Sequence, residues 1–336
     1  MDAPKRTAPP DASAEPATVP AQRPSRLPDF FLAGHPKCGT TALYDMLRRH
    51  PQVFMPEVKE PRWFAPDLRS PYRSGPDGQS GFENYLALFE PALPTQLIGE
   101  GSTCYVWSRQ AAGLIAEAQP QARIVVILRE PASLLRSLHL QMLQHKSEEV
   151  PSLREALELE ARRRNGELLT EINREKPAYL MYMDRVRFLE QLQRLHGVFG
   201  REQVLVLIYE DFRADNDATL RTVQRFLGIE EIGAVEISQA NPSVQRRVWL
   251  DNALHSAFFG GGRATRWARR AAKTVIPQAL SRRSFQLLRR KLVFTEPKGP
   301  DADLMGELRR RLAPEVTALS EYLGRDLVAL WGYDRL

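Results

Sequence analysis

Lys37 stands inside a short loop between two glycines, Gly34-His35-Pro36-Lys37-Cys38-Gly39-Thr40-Thr41. A strand-like apolar run over 29–33 leads into this loop, and a 3.6-residue apolar pattern through Leu43, Met46 and Leu47 leaves it. A strand that turns into a helix in this way aims backbone N–H groups and the positive helix end at one point. The natural occupant is an anion, phosphate above all. The spacing of Gly34 and Gly39 matches the two glycines of a nucleoside-triphosphate loop, but that motif puts its lysine directly after the second glycine, where this chain has Thr40. No Mg²⁺ ligand set can be located beside it, as a kinase would need. A second anion candidate follows the continuous apolar run Arg123–Leu128, which ends in Arg129-Glu130-Pro131 with Ser137 eight residues beyond Arg129. The planar guanidinium grips phosphate oxygens in pairs, although an arginine at a strand end is as often a surface charge.

The elements that must position these residues alternate along the chain. Helical patterns over 108–118 and 132–145 flank the run Arg123–Leu128, whose apolarity on both faces suits a strand inside a parallel sheet. Tyr182, Val186, Leu189, Leu192 and Leu195 predict one long amphipathic helix, 203–208 another buried strand, and Asp215 or Asn216 caps a helix that runs to Leu227 and stops at Gly228. After Asn241 the chain reads as helical and basic, then as two apolar stretches over 304–312 and 316–330. This order predicts an α/β fold with a doubly wound, mainly parallel sheet flanked by helices. Residues 1–28, rich in Pro and Ala, predict a disordered tail; 29–336 predict a single domain, with 240–300 as a basic helical lid or acceptor region.

With 43% apolar and 26% charged residues among 336, the whole chain is not of disordered type. The net charge of +6 is concentrated, since the lysines and arginines between Arg246 and Lys291 face a single acid, Asp251. That concentration implies an anionic partner. No apolar run approaches the roughly 20 residues of a membrane span, and the N-terminus does not read as a signal peptide, so the expected location is cytoplasmic. Cys38 and Cys104 are read as reduced thiols.

Pro36-Lys37-Cys38-Gly39-Thr40-Thr41-Ala42-Leu43 resembles the 5′-phosphosulfate loop of sulfotransferases that use 3′-phosphoadenosine 5′-phosphosulfate (PAPS). The resemblance implies that Lys37, with the backbone and hydroxyls of Cys38, Gly39, Thr40 and Thr41, holds the 5′-phosphate and the sulfo group. It implies further that Arg129 and Ser137 hold the 3′-phosphate, although Leu134 stands where relatives often carry another arginine. Lys59-Glu60-Pro61-Arg62-Trp63-Phe64, Tyr209-Glu210-Asp211-Phe212 and Phe226-Leu227-Gly228 resemble later family segments, nearest to the bacterial carbohydrate-type and heparan-sulfate-type enzymes. By that resemblance Glu60 is the catalytic base, with Glu100 as competitor, while His35 lines the pocket and Arg246 or Arg247 closes over the nucleotide. No metal is implied. Gly101 and Arg62 stand where heparan-sulfate relatives carry a lysine and a histidine, which counts against a glycosaminoglycan acceptor. The expected acceptor is a hydroxyl or amine of a small molecule, carbohydrate or lipid-linked molecule. Residues 258–294 interleave arginine with apolar side chains, as peripheral membrane helices do, though a charged lid packed on the domain is the plainer reading. A nucleotide kinase or NTPase, and a protein binding a membrane or an anionic polymer, remain the alternatives; no nucleic-acid motif is present.

Overall fold

The computed structural model describes residues 26–68, 70–71, 78–169, 171–174, 177–233, 245–246, 294–295 and 299–336. In chain order the elements are β1 (Phe30–Gly34), α1 (Thr40–Arg48), β2 (Val53–Phe54), α2 (Gly78–Ala87), β3 (Leu97–Gly101), α3 (Ala111–Ala118), β4 (Arg123–Leu128) and α4 (Pro131–Gln144). Then follow α5 (Leu153–Glu158), α6 (Glu160–Arg164), α7 (Glu171–Arg174), α8 (Phe188–His196), β5 (Val204–Ile208), α9 (Tyr209–Ala214) and α10 (Asn216–Leu227). The chain closes with β6 (Gln245–Arg246), β7 (Phe294–Thr295), α11 (Ala302–Leu323) and α12 (Leu327–Leu330).

Five strands form one parallel sheet in the order β2-β3-β1-β4-β5. Every residue of β1 is buried, as is β4 after its first residue, which explains why both read as unbroken apolar runs. Register aligns Gly34 with Ile127, and Leu128 with Ile208. The segments leaving β1, β4 and β5 therefore open on the same sheet edge, beside the point where the strand order changes direction. Ligands of open α/β sheets bind there.

The expected long helix over 182–195 is two pieces, a 3₁₀ turn Met183–Val186 and α8, broken at Arg187 with φ −81° and ψ 64°. Side chains replace the missing helical bonds: the Gln191 amide donates to the carbonyls of Asp184 and Arg185, and Glu315 accepts from the N–H of Leu189 at 2.8 Å. Conversely, the first C-terminal stretch and the start of the second join as α11, which runs through Pro314 and stops at Gly324 with φ 62°, leaving 327–330 to α12. Leu304, Leu308, Leu312, Val316 and Leu319 stay on one buried face across the proline, so the continuous apolar contact offsets the lost backbone bond. Within the expected basic helical region, Gln245–Arg246 and Phe294–Thr295 are instead paired antiparallel strands, and β6 lies against α4. The rest of that region, Arg247 included, and the N-terminal tail to residue 25 lie outside the described residues. Among the described residues no helix is long and apolar enough to cross a membrane.

One buried ion pair ties the chain after α4 to α6. Both guanidinium tips of Arg163 donate to Glu148 at 2.7 Å, and the Tyr182 hydroxyl donates to the same carboxylate at 3.0 Å. Burial alone would raise the Glu148 pKa, but the bonds from Arg163 and the Val150 N–H hold it below the usual value. A depressed carboxylate stabilises the fold above its unfolded pKa and loses that contribution as pH falls through the lower, folded value. Glu148→Gln, which leaves the Arg163 charge uncompensated, should cost about 3–5 kcal/mol by chemical denaturation. A loss under about 1 kcal/mol would show that the pair does not hold this segment.

Candidate functional site

Backbone constraints shape the 34–41 loop before any side chain contributes. Gly39 caps α1 with φ 85°, and a Cβ there would come within 2.8 Å of the Phe212 ring. Lys37 also has positive φ, 72°, which a residue with a side chain rarely adopts. Arg129 donates to its carbonyl at 2.8 Å and fixes that turn. No side chain caps α1 and its first turn holds no acid, whereas Glu130, Asp215 and Asp301 cap α4, α10 and α11. The positive end of α1 thus carries neither a side-chain cap nor an acid in its first turn, and its N–H groups stay open to an anion. Lys37 is depressed below the usual lysine value by burial and then by Arg129. His35 lies fully buried under the loop, with Nε2 2.9 Å from Gln191 Oε1; burial and then Arg185 lower its pKa to about 3. It is a neutral support of the loop floor. The Cys38 thiol is also fully buried and pushed up to about 12 by burial, so this residue offers the loop its backbone alone.

Arg129, at the exit of β4, packs its guanidinium 4.8 Å from the centre of the Tyr209 ring, and no carboxylate pairs with it among the described residues. Ser137 lies on the second turn of α4 and is buried, as is Leu134, which packs in the core. The C-terminal residues brace this corner. Tyr333 donates to Glu130 at 2.7 Å, and the Trp331 indole donates to Glu210 at 2.9 Å.

A second cluster forms where the segment after β2 meets the exit of β3. Glu60 and Arg62 both take positive φ, 63° and 57°, held by the bonds Glu60 N–H to Gly101 O at 2.9 Å and Arg62 N–H to Ser102 Oγ at 3.0 Å. The Glu60 carboxylate accepts from the Thr103 hydroxyl at 2.9 Å and lies 3.6 Å from Lys59 and 3.5 Å from Arg62. Lys59 reaches on to donate to Thr41 Oγ1 at 3.3 Å, so the end of the loop and Glu60 share one ammonium group. A Cβ on Gly101 would strike Tyr44 at 2.6 Å and lie 3.6 Å from the Lys59 Cε. In sequence Lys59 is only Glu60's neighbour; the bridge it makes to Thr41 joins residues 18 apart.

Glu100 stands apart from this cluster. It is fully buried in β3, with Tyr85 and Tyr105 donating to one carboxylate oxygen at 2.9 and 2.7 Å. Burial raises its pKa to about 7 against the opposing hydrogen bonds of Ser102, Tyr105 and Tyr85. The structure thus brings Lys37 to Arg129, and Thr41 through Lys59 to Glu60, while Glu100 sits behind two phenols. Of Arg246 only the backbone, in β6, is described. Among the described residues no three His, Cys, Asp or Glu side chains are grouped to hold a metal. An acid whose folded pKa is raised favours folding while protonated and costs stability as pH rises through that value. Glu100→Gln, which keeps an acceptor for both phenols, should therefore gain thermal stability relative to the native chain between pH 5.5 and pH 8; an identical pH profile would show that Glu100 does not titrate as described.

Residues 27–267 match the model of a protein family described as "Sulfotransferase domain". The chain belongs to that family. This sulfotransferase is 29% identical over 250 residues to human carbohydrate sulfotransferase 15, a match covering 60% of this chain and 44% of the human protein. It is 26% identical over 211 residues to the mouse bifunctional heparan sulfate N-deacetylase/N-sulfotransferase 4, covering 60% of this chain and 22% of that protein. The matches thus span less than half the length of these curated relatives. A crystal structure of a sulfotransferase from Alicyclobacillus acidocaldarius shares the fold at a TM-score of 0.62, with 24% identity, over 91% of this chain and 99% of the other.

Proposed function

We propose that this sulfotransferase moves the sulfo group of PAPS to a hydroxyl or amine of its acceptor, with Glu60 as the base. The observation that carries this reading is the Lys59 bridge, which puts the Glu60 carboxylate beside the loop end where a 5′-phosphosulfate would lie. The open end of α1, and an Arg129 guanidinium held by a carbonyl and a ring rather than a carboxylate, fit a nucleotide phosphorylated at both ends. In this reading Lys37 and the backbone of Cys38, Gly39, Thr40 and Thr41 hold the 5′ end. Arg129 and Ser137 hold the 3′-phosphate, and Arg246 or Arg247 adds to that site. When bound, the donor supplies the activated sulfo group and a phosphate leaving group.

The chain's own residues then have three tasks. Lys37 neutralises charge growing on the departing phosphate oxygen, a task a fixed ammonium performs without reorganising. Glu60, aimed by Thr103, Lys59 and Arg62, takes the acceptor's proton. Lys59 couples the two halves, because its ammonium group contacts both Thr41 and Glu60. Glu100 is the weaker candidate for the base, since both phenols cover it and its raised pKa would leave part of it protonated at neutral pH. A carbohydrate acceptor is favoured over a small or lipid-linked one because the named relatives are carbohydrate and heparan sulfate enzymes. We place the reaction in the cytoplasm.

The product nucleotide 3′-phosphoadenosine 5′-phosphate should raise the melting temperature, and ATP with Mg²⁺ should not; the reverse pattern would return the chain to the kinase reading. Glu60→Gln should keep that stabilisation while transfer from labelled PAPS falls about 10²- to 10⁴-fold. Near-normal transfer would move the base to Glu100 or to the acceptor itself.

A further inference from the structure

The Lys59 ammonium is mostly covered yet only partly used. Its side chain is 21% exposed, and its Nζ lies 3.3 Å from Thr41 Oγ1 and 3.6 Å from Glu60 Oε1. An ammonium group carries three donors, and among the described residues this one makes a single hydrogen bond, to Thr41. The Glu60 contact is an ion pair beyond hydrogen-bond range. Burial drives the Lys59 pKa below the usual lysine value, against the raising effect of Glu60. Nor does Glu60 rely on Lys59 alone. Thr103 gives that carboxylate both its hydroxyl and its N–H, and Arg62 approaches Oε2 at 3.5 Å.

The surroundings keep the tip of this side chain in place. The centre of the Tyr44 ring lies 5.9 Å from Nζ, and the Tyr44 hydroxyl is tied to the Pro56 carbonyl. Gly101 leaves the room for both, since a Cβ there would strike Tyr44 and sit 3.6 Å from Lys59 Cε. Thr41 is the second residue of α1, at the uncapped end that offers its N–H groups to an anion. The Lys59 Nζ therefore occupies the gap between that end and the Glu60 carboxylate, within one contact of each.

We infer that Lys59 is a second catalytic lysine, which contacts the oxygens of the sulfo group as it is transferred and does not merely position Glu60. This rests on the sulfo-transfer reading and deepens it. In that step Lys37 faces the phosphate oxygen that takes the electron pair of the broken sulfur–oxygen bond. Glu60 takes the proton of the acceptor oxygen or nitrogen that bonds to sulfur. Lys59 meets the three oxygens that stay on sulfur throughout, and its unspent donors need no reorganisation to do so. The negative charge on those oxygens in turn offsets the burial of the ammonium.

Calorimetric titration of the full chain with PAPS and with 3′-phosphoadenosine 5′-phosphate, without acceptor, separates contact from positioning, because only PAPS carries the sulfo group. Lys59→Met should weaken PAPS about tenfold relative to the product nucleotide, as the loss of one charge-assisted bond implies. Lys59→Arg, which keeps the charge, should retain most of the native ratio, and Glu60→Gln should leave that ratio as it is. Transfer from labelled PAPS should fall about 10²-fold in Lys59→Met. If Lys59→Met does not fold, as its melting curve would show, Lys59→Gln takes its place with the same expectation. An unchanged ratio overturns the contact: with both affinities intact Lys59 only positions Glu60, and with both weakened together it binds the 5′-phosphate. Near-native transfer overturns it as well. Failure of the native chain to bind either nucleotide would instead sink the donor reading, and this contact with it.

Discussion

Lys37 sits at φ 72°, a conformation that costs a residue with a side chain about 1–2 kcal/mol. The hydrogen bond from the Arg129 guanidinium to the Lys37 carbonyl holds it there. That bond exists because β1 and β4 are register neighbours, so the residue just past β4 reaches the loop just past β1. The same contact places two cations side by side, and burial followed by the Arg129 charge lowers the Lys37 pKa, a repulsion that a bound anion would relieve. Tyr209 supports the guanidinium from below, and the Glu130 and Glu210 contacts with the C-terminal Tyr333 and Trp331 fix the strand ends that present it.

The Glu60 cluster is tied to the Lys37 loop through Lys59. Glu60 and Arg62 are held in strained backbone conformations by Gly101 and Ser102 at the exit of β3, and Lys59 carries the connection to Thr41. Three parallel strands, β3, β1 and β4, therefore set the distance between the Thr41 end of the loop and the Glu60 carboxylate, which on the proposed reading separates the nucleotide's 5′ end from the base. Catalysis by positioning needs that separation fixed, since small displacements are costly in rate.

Elements defined by local chemistry were legible in the sequence. The loop glycines, β4 with its apolar run from Ile124 to Leu128, and α10 with its Asp215 cap and Gly228 stop each carry a signal within a few residues. What escaped depends on partners far along the chain. The break at Arg187 follows from Gln191 and Glu315, the latter more than a hundred residues away, and α11 passes Pro314 because its buried face stays in phase. The choice between Glu60 and Glu100 had the same character. Both are glutamates near a strand end, and only the packing of Tyr85 and Tyr105 around one of them, and of Lys59 and Thr103 around the other, separates a buried acid from an available carboxylate.

Calorimetric titration of 3′-phosphoadenosine 5′-phosphate and of adenosine 5′-phosphate into the native chain, Arg129→Met and Lys37→Met tests the two-anchor donor site most directly. The native chain should prefer the 3′-phosphorylated nucleotide by about tenfold or more, as a charge-assisted pair to a phosphate implies. Arg129→Met should abolish that preference, while Lys37→Met should weaken both nucleotides together and leave the preference standing. A preference that survives the loss of Arg129 would contradict the account.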